Sequence, residues 1–167
     1  MINALSADAP DPALTASLHL FGQFVGSWDL EWHGKDRQGN SITADGELHV
    51  GWILGGRALQ DVWRVPLNPA DASRMRAFHG TTIRFYDPSI EAWRSTWLDP
   101  LNGRVRRFIG RPVGVTLLLT GLEDDPLERW IFSDITQHNF HWTGQSSTDA
   151  GLSWVTEDEM DARRRQT

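Results

Sequence analysis

A carboxylate and an amide stand together in the segment from Leu59 to Trp63, flanked by large apolar residues. In an extended strand, Leu59, Asp61 and Trp63 would share one face and Gln60 would lie on the other. If the Asp61 face is turned inward, burial raises the pKa of its carboxyl, and such a carboxyl can act as a general acid or base near neutral pH. A structural ion pair between Asp61 and a neighbouring arginine is the plainer alternative, and we favour it.

Further charged residues fall on segments that alternate as strands do. Asp134 follows Trp130 and Phe132 at strand spacing, which makes it a second candidate for acid–base chemistry. An arginine inside a barrel must be paired, and it could then hold a ligand carboxylate or enolate through two hydrogen bonds. An outward arginine would instead cover the wall with its stem. We expect at least one of four strand arginines to face inward, namely Arg84, Arg94, Arg104 and Arg106. The candidate catalytic residues are Asp61, Arg84, Arg94 and Asp134.

Tryptophan is the unusual component, with nine residues against a single tyrosine. A tryptophan buries a large apolar area and carries one N–H group that needs a partner. Nine exceed what a core of this size usually uses, so some are expected to line a cavity for a flat or apolar ligand. The candidate ligand-binding residues are Trp52, Gln60, Trp63, His79, Trp93, Trp97 and Arg106.

Several functional classes find little support. There is no cysteine, which excludes disulfides, thiolate metal ligands and a cysteine nucleophile. The net charge of −6 with a pI of about 5.4 argues against a nucleic-acid partner. His138 and His141 lie three apart, so on one strand they would point to opposite faces, and we predict no metal site. The motifs of familiar hydrolases, nucleotide-dependent enzymes and dehydrogenases are missing. The start of the chain does not read as a signal peptide and no stretch is long enough to span a membrane, so we expect a cytoplasmic protein.

The chain order predicts one helix followed by a long run of hairpins. Residues 11–24 show apolar residues near helical spacing, and turn signals recur about every ten residues from Gly26 onward. We therefore predict an all-β fold, an antiparallel up-and-down barrel of about 8–10 strands, with a two-sheet sandwich as the alternative. Residues 1–10 are expected to be a flexible N-terminus, 11–162 a single domain and 163–167 a basic tail, in which Arg163-Arg164-Arg165 should fray.

One stretch, Phe24-Val25-Gly26-Ser27-Trp28, resembles the entry to the first strand in the calycin superfamily, which includes lipocalins, fatty-acid-binding proteins and nitrobindin-type barrels. In lipocalins a Gly-x-Trp sits at this point and its indole closes one end of the barrel. Residues 56–63 and 85–88 also resemble a group of uncharacterised bacterial calycin-like proteins. The resemblance covers nearly the whole chain and implies a barrel that binds a ligand, without implying a reaction.

Together these observations predict a barrel for a largely apolar, aromatic or polyketide-like small molecule, acting as a monomer or homodimer. A cofactor-free cyclase, isomerase or dehydratase could operate in such a cavity by holding a substrate in one shape. A haem-binding, nitrobindin-like protein is an alternative that needs one inward histidine, from His49, His79, His138 or His141. A non-catalytic interaction domain is the remaining alternative.

Overall fold

Ten antiparallel strands close into a single barrel in the computed structural model, which describes residues 5–166. Each strand pairs with its neighbours in the sequence, and β1 also pairs with β10, so the sheet has no free edge. The predicted barrel is thereby confirmed and the sandwich excluded. One helix, α1 (Thr15–Gly22), precedes the strands, which are β1 (Gly26–Lys35), β2 (Ser41–Ile53), β3 (Ala58–Val65), β4 (Phe78–Asp87), β5 (Ala92–Asp99), β6 (Arg104–Val113), β7 (Thr116–Asp124), β8 (Leu127–Ser133), β9 (Asn139–Ser147) and β10 (Val155–Arg164).

The helix covers one end of the barrel. Leu18 and Phe21 of α1 are fully buried, and Phe21 packs edge-on against Phe132 with ring centroids 6.0 Å apart. Beside them Trp28 donates its indole N–H to the carbonyl of Phe24 at 2.8 Å. The Arg164 guanidinium lies 4.0 Å from the Trp28 ring centroid, within range of a cation–π contact. This end is therefore filled by side chains, and any ligand must enter from the other end.

Residues near both ends of the described chain form hydrogen bonds to the barrel. The expectation that Arg163-Arg164-Arg165 frays is wrong. Strand β10 runs to Arg164, whose guanidinium donates to the carbonyls of Gln23 and Val25 at 2.6 and 2.5 Å, and the backbone N–H of Arg165 donates to the carbonyl of Ser27 at 2.8 Å. Within the expected flexible segment 1–10, the backbone N–H of Ala7 donates to Trp52 at 2.9 Å, and residues 1–4 lie outside the described part of the chain.

The helix is also shorter than the predicted range 11–24. The carboxylate of Asp11 accepts a hydrogen bond from the backbone N–H of Ala13 at 2.9 Å, which stabilises a turn ahead of α1 rather than its first turn. The structure describes no helix long and apolar enough to cross a bilayer between residues 5 and 166.

Irregular pairing occurs in places that the sequence does not predict. Strand β2 pairs with both neighbours without any shift in register, at Gly46 and Gly51 as elsewhere. The shifts lie instead between Thr120 and Asp124 and between Thr156 and Asp158. The second shift matters for function, because an extra residue in one strand changes which side chains face the interior.

Candidate functional site

A cavity of about 570 Å³ occupies the barrel end opposite the helix. Five of the nine tryptophans line it, each from a different strand: Trp32 of β1, Trp63 of β3, Trp97 of β5, Trp130 of β8 and Trp142 of β9. Strand alternation explains the arrangement, since each of these residues belongs to the inward-facing set of its strand. Tryptophan side chains from five strands therefore make up a large part of the cavity wall.

Four of these indoles and one phenyl ring form a continuous aromatic belt. Trp130 contacts both Trp97 and Trp142, with ring centroids 5.8 and 5.5 Å apart. The belt continues from Trp142 to Trp63 at 5.9 Å and from Trp97 to Phe78 at 6.3 Å. Tilted and edge-to-face contacts at such distances hold aromatic rings in fixed orientations. The belt, defined as Phe78, Trp97, Trp130, Trp142 and Trp63, therefore forms a preorganised wall.

Glycines make room for the large rings. A Cβ added at Gly144 would lie 2.6 Å from the Trp142 ring, and one added at Gly80 or Gly34 would collide with Trp97 or Trp32. Each of these three indoles therefore occupies the space that a side chain would take at a glycine, which lies two residues along its own strand or on the adjacent strand. A side chain at those glycines would push the ring away from the wall.

Glu128 forms the main ion-pair cluster of the cavity wall. Its side chain is 8% exposed, and its Oε1 accepts hydrogen bonds from Arg104 and, at 3.2 Å, from Arg106. Arg106 is thus inward, as proposed for a ligand anchor, but it is engaged by Glu128 and is not part of the cavity lining. The charges of both arginines are directed at one buried carboxylate.

Asp158 presents a second carboxylate to the cavity. Its Oδ1 accepts a hydrogen bond from the Trp32 indole N–H at 2.9 Å. Burial raises the pKa of the Asp158 carboxyl above its ordinary value, outweighing the Trp32 hydrogen bond and the nearby charges of Arg76 and Arg104, while Glu157 adds to the rise. The register shift at β10 pairs Asp158 with Gly144, and the space over that glycine is taken up by the Trp142 ring.

Asp99 is a third carboxylate of the lining and is only 3% exposed. Its Oδ2 accepts a hydrogen bond from the Asn102 amide at 2.6 Å, while its Oδ1 is buried without a partner. A buried acceptor that lacks a hydrogen bond is costly, and such groups in native proteins call for an explanation.

The leading acid–base candidate from the sequence, Asp61, lies elsewhere. Its Oδ2 is bonded to Arg84, its Oδ1 accepts the backbone N–H of Thr82 at 2.7 Å, and both side chains are almost fully buried. Burial raises the pKa of Asp61, and the Arg84 charge opposes that rise. The pair borders a void of only about 10 Å³ next to the helix residue Phe21, too small for an organic ligand. The structure brings the pair together as the favoured structural alternative describes.

Four predicted site residues face away from the interior. Gln60 donates its side-chain amide to Thr81 at 3.0 Å on the outer surface. Arg94 is 44% exposed and donates to Asp87 at 2.7 Å. The other two are exposed as well: His79 on the outer face of β4, and Asp134 in the turn after β8, with a φ of 50°. None of the four is positioned to contact a molecule in the cavity.

Two predicted tryptophans belong to the closed end. Trp93 packs edge-on against Phe21 at 5.0 Å, and Trp52 packs against Gly22 of α1. Of the residues predicted for ligand binding, the cavity lining includes Trp63 and Trp97. The sequence reasoning missed Trp32, Trp130 and Trp142. A signal was present for two of them, because Trp32 and Trp142 are each followed two residues later by a glycine.

No histidine lines the cavity, although the structure describes all six. His33 and His141 are on the outer wall, where both contact Asp161, at 3.1 and 2.8 Å. Glu31, His33 and Asp161 bring their ligand atoms within 4.8 Å of one another, a surface grouping that the sequence did not predict. The donor set of the cavity therefore does not fit a histidine-ligated haem.

The comparisons with known proteins identify a fold without naming a family. No family model matches the sequence, and no curated protein matches it. Among solved structures, the S-type phycobiliprotein lyase CPES from Guillardia theta is 11% identical with a TM-score of 0.56, covering 91% of this chain and 97% of that one. Rv2717c from M. tuberculosis is 14% identical with a TM-score of 0.61, covering 94% and 99%. At such identities the likeness is one of fold.

Proposed function

We propose that this protein binds a small, flat, largely apolar aromatic molecule in the cavity opposite the helix. The observation that carries the proposal is the aromatic belt around about 570 Å³ of space. Cavities of roughly 300–1,000 Å³ with mainly apolar walls and a few polar groups are typical of small-molecule sites. An apolar wall of this size that faced only water would be a large cost with no structural benefit.

The fold supports the same conclusion. We propose that the chain is a calycin-like barrel. The proposal is supported by Gly26-Ser27-Trp28 at the start of β1 and by the end of the barrel that the helix covers, where the Trp28 indole is buried. The phycobiliprotein lyase that shares the fold is named for an activity, which is a precedent for a functional interior in a barrel of this shape.

Proton transfer on the bound molecule is the reaction class that we propose for the site. Asp158 is the lining carboxyl whose pKa is raised by burial, and its bond from Trp32 fixes its orientation. A carboxyl of this kind can exchange a proton in a cofactor-free isomerisation or dehydration. Asp61, by contrast, is held in an ion pair away from the cavity.

Titration of the intrinsic tryptophan fluorescence tests the binding proposal. The panel contains aromatic acids, fatty acids, polyketide-like phenols and aromatic amines. We expect saturable quenching by flat aromatic members, because bound rings would lie against the indoles of the belt. The variant Ser146→Phe, which places a ring at a lining position, should weaken binding about 10-fold or more.

The matched control is Ser133→Phe, at the end of β8 and outside the cavity lining. It adds the same ring without entering the cavity, so its affinity should equal that of the unmodified protein. Equal weakening by both variants, or no saturable response to any flat aromatic compound, would contradict the proposal.

A further inference from the structure

The charges around the cavity are unevenly compensated. Arg104 and Arg106 are half-buried and both bond to Glu128, so this cluster of two arginines and one glutamate is compact and keeps one net positive charge. Asp99 and Asp158 have no basic side chain within ion-pair distance among residues 5–166, and their hydrogen bonds come from neutral groups of Asn102 and Trp32. These two carboxylates thus have no charged hydrogen-bond partner in a region partly removed from water, and the charges of Arg76 and Arg104 act on Asp158 only from beyond ion-pair distance.

The remaining basic residues of the lining compensate the charges of Asp99 and Asp158 only weakly. Arg76 and Lys35 are both exposed, and Lys35 donates to the hydroxyl of Ser41 at 2.8 Å. Exposed charges are screened by water and salt, whereas charges within the wall act through a lower dielectric. Inside the cavity the two carboxylates of Asp99 and Asp158 should therefore outweigh the single net positive charge of the Glu128 cluster and the screened charges of the two exposed bases.

The aromatic belt favours the same sign of charge. The faces of indole rings are negative, and they attract organic cations that approach within about 6 Å of the ring centroid, most strongly when water is excluded. Four indoles and one phenyl ring in contact with one another provide such faces on several sides. The wall and the carboxylates thus act together.

We propose that the ligand of this cavity is an aromatic cation, whose positive charge is stabilised by the carboxylates of Asp99 and Asp158 and by the tryptophans of the belt. This proposal rests on the proposed function and narrows it to one chemical class. An organic cation would supply the charged partner that these two carboxylates lack. Glu128 would keep its arginines and would not contribute to the preference.

Three compounds that share one ring system separate shape from charge. N-methylacridinium is positively charged, acridine is uncharged when not protonated, and acridine-9-carboxylate is negatively charged. Dissociation constants for all three are measured by fluorescence near neutral pH at low salt. We expect the cation to bind about 10-fold or more tightly than the uncharged ring, and the anion to bind most weakly. Raising the salt concentration should reduce the cation's advantage, because part of it is Coulombic.

Two variants locate the origin of the preference. Asp99→Asn and Asp158→Asn each remove one charge and keep a similar shape, so each should reduce the affinity for N-methylacridinium while leaving that for uncharged acridine nearly unchanged. The matched control, Asp134→Asn, removes a charge from an exposed turn after β8 and should leave both affinities as they were. The salt dependence of the unmodified protein tests the proposal even if a variant folds poorly.

The outcomes are distinguishable. If the uncharged or anionic ring binds as tightly as the cation, the proposal of a cationic ligand is overturned while the proposal of an aromatic site stands. If the double variant Asp99→Asn with Asp158→Asn still binds the cation more tightly than the uncharged ring to the same extent, the role of these carboxylates in binding the cation is refuted. If none of the three compounds binds, the ligand class and the proposed function both fail.

Discussion

The buried pair of Asp61 and Arg84 allows a sharp test of the difference between a structural and a catalytic role. Their side chains are 3% and 5% exposed, and the Arg84 guanidinium also lies 4.8 Å from the Phe21 ring centroid. Arg84→Met keeps an apolar stem beneath the helix but leaves the Asp61 carboxylate with only the Thr82 N–H as a partner. Removing one member of a buried ion pair typically lowers the free energy of unfolding by about 3–5 kcal/mol.

The double variant Asp61→Asn with Arg84→Met should recover most of that loss. An asparagine oxygen can still accept the Thr82 N–H, and no buried charge is then left unpaired. The control Arg94→Met breaks an ion pair whose arginine is 44% exposed, so it should cost no more than about 1 kcal/mol. Urea unfolding, followed by tryptophan fluorescence and circular dichroism, measures all three.

The stability of Arg84→Met should depend on pH in a direction that follows from the pKa of Asp61. Without Arg84, burial raises the pKa of Asp61 further above its unfolded value, so the folded protein takes up a proton more readily than the unfolded chain does. The stability linked to that proton is present at acid pH and is lost as the pH rises through the folded pKa. The deficit of Arg84→Met should therefore shrink at low pH. A loss as small as that of Arg94→Met, or a double variant as unstable as the two single changes added together, would refute the reasoning.

Three further predictions concern stability. Asp158→Asn should raise the melting temperature near pH 7 by a few degrees, because the raised pKa means that the charged carboxylate destabilises the folded state. The gain should vanish below about pH 4, where the unmodified carboxyl is protonated in both the folded and the unfolded protein. Asp161→Asn should lower the melting temperature near pH 6 and not near pH 9. Burial alone would lower the pKa of His141, yet hydrogen bonds and charges from Asp161 and Glu159 raise that pKa overall. The stabilisation by protonated His141 is therefore lost as the pH rises through its pKa in the folded protein. Arg164→Lys should cost about 2 kcal/mol in urea unfolding, since a lysine cannot serve three backbone carbonyls, whereas Arg163→Lys at an exposed position should be neutral.

The fold could be predicted from local pattern because a barrel of consecutive hairpins is specified locally. Turn signals such as Asp87-Pro88 and alternating segments such as that from Leu59 to Trp63 each define a strand or its end. Ten such strands in succession leave few ways to pair, and closure removes the edges. The helix bounds and the C-terminal tail were less predictable, because Arg164 is ordered by carbonyls far away in sequence.

The candidate site was only partly predictable, because alternation tells which face a residue occupies and not how deep it lies along the barrel. Asp61 and Trp63 share one face, yet Trp63 borders the large cavity and Asp61 lies near the helix. Arg94 alternates with Trp93 and Trp97, so it could not share their face. The prediction of Asp134 as an inward residue required β8 to continue past Ser133. The strand ends at Ser133 instead, and Asp134 adopts a positive φ in the turn that follows.

Asp158 is a further residue that the sequence did not identify. Counting back from Met160, regular alternation places Asp158 inward, but nothing in the sequence marks Glu157 as the extra residue between Thr156 and Asp158. The inward position of Asp158 becomes informative only once β9 supplies Gly144 opposite it and β1 supplies the Trp32 indole. The Trp32–Asp158 contact joins residues 126 positions apart, and a local pattern cannot reveal it.

The central claim, that an aromatic ligand occupies the cavity opposite the helix, is tested most directly by the indole N–H signals of the nine tryptophans in a ¹⁵N–¹H NMR spectrum. Acridine or its N-methyl cation should shift the five signals from the cavity lining, which are Trp32, Trp63, Trp97, Trp130 and Trp142. The other four, Trp28, Trp52, Trp93 and Trp154, should stay in place. Shifts confined to those four, or spread evenly over all nine, would contradict the account.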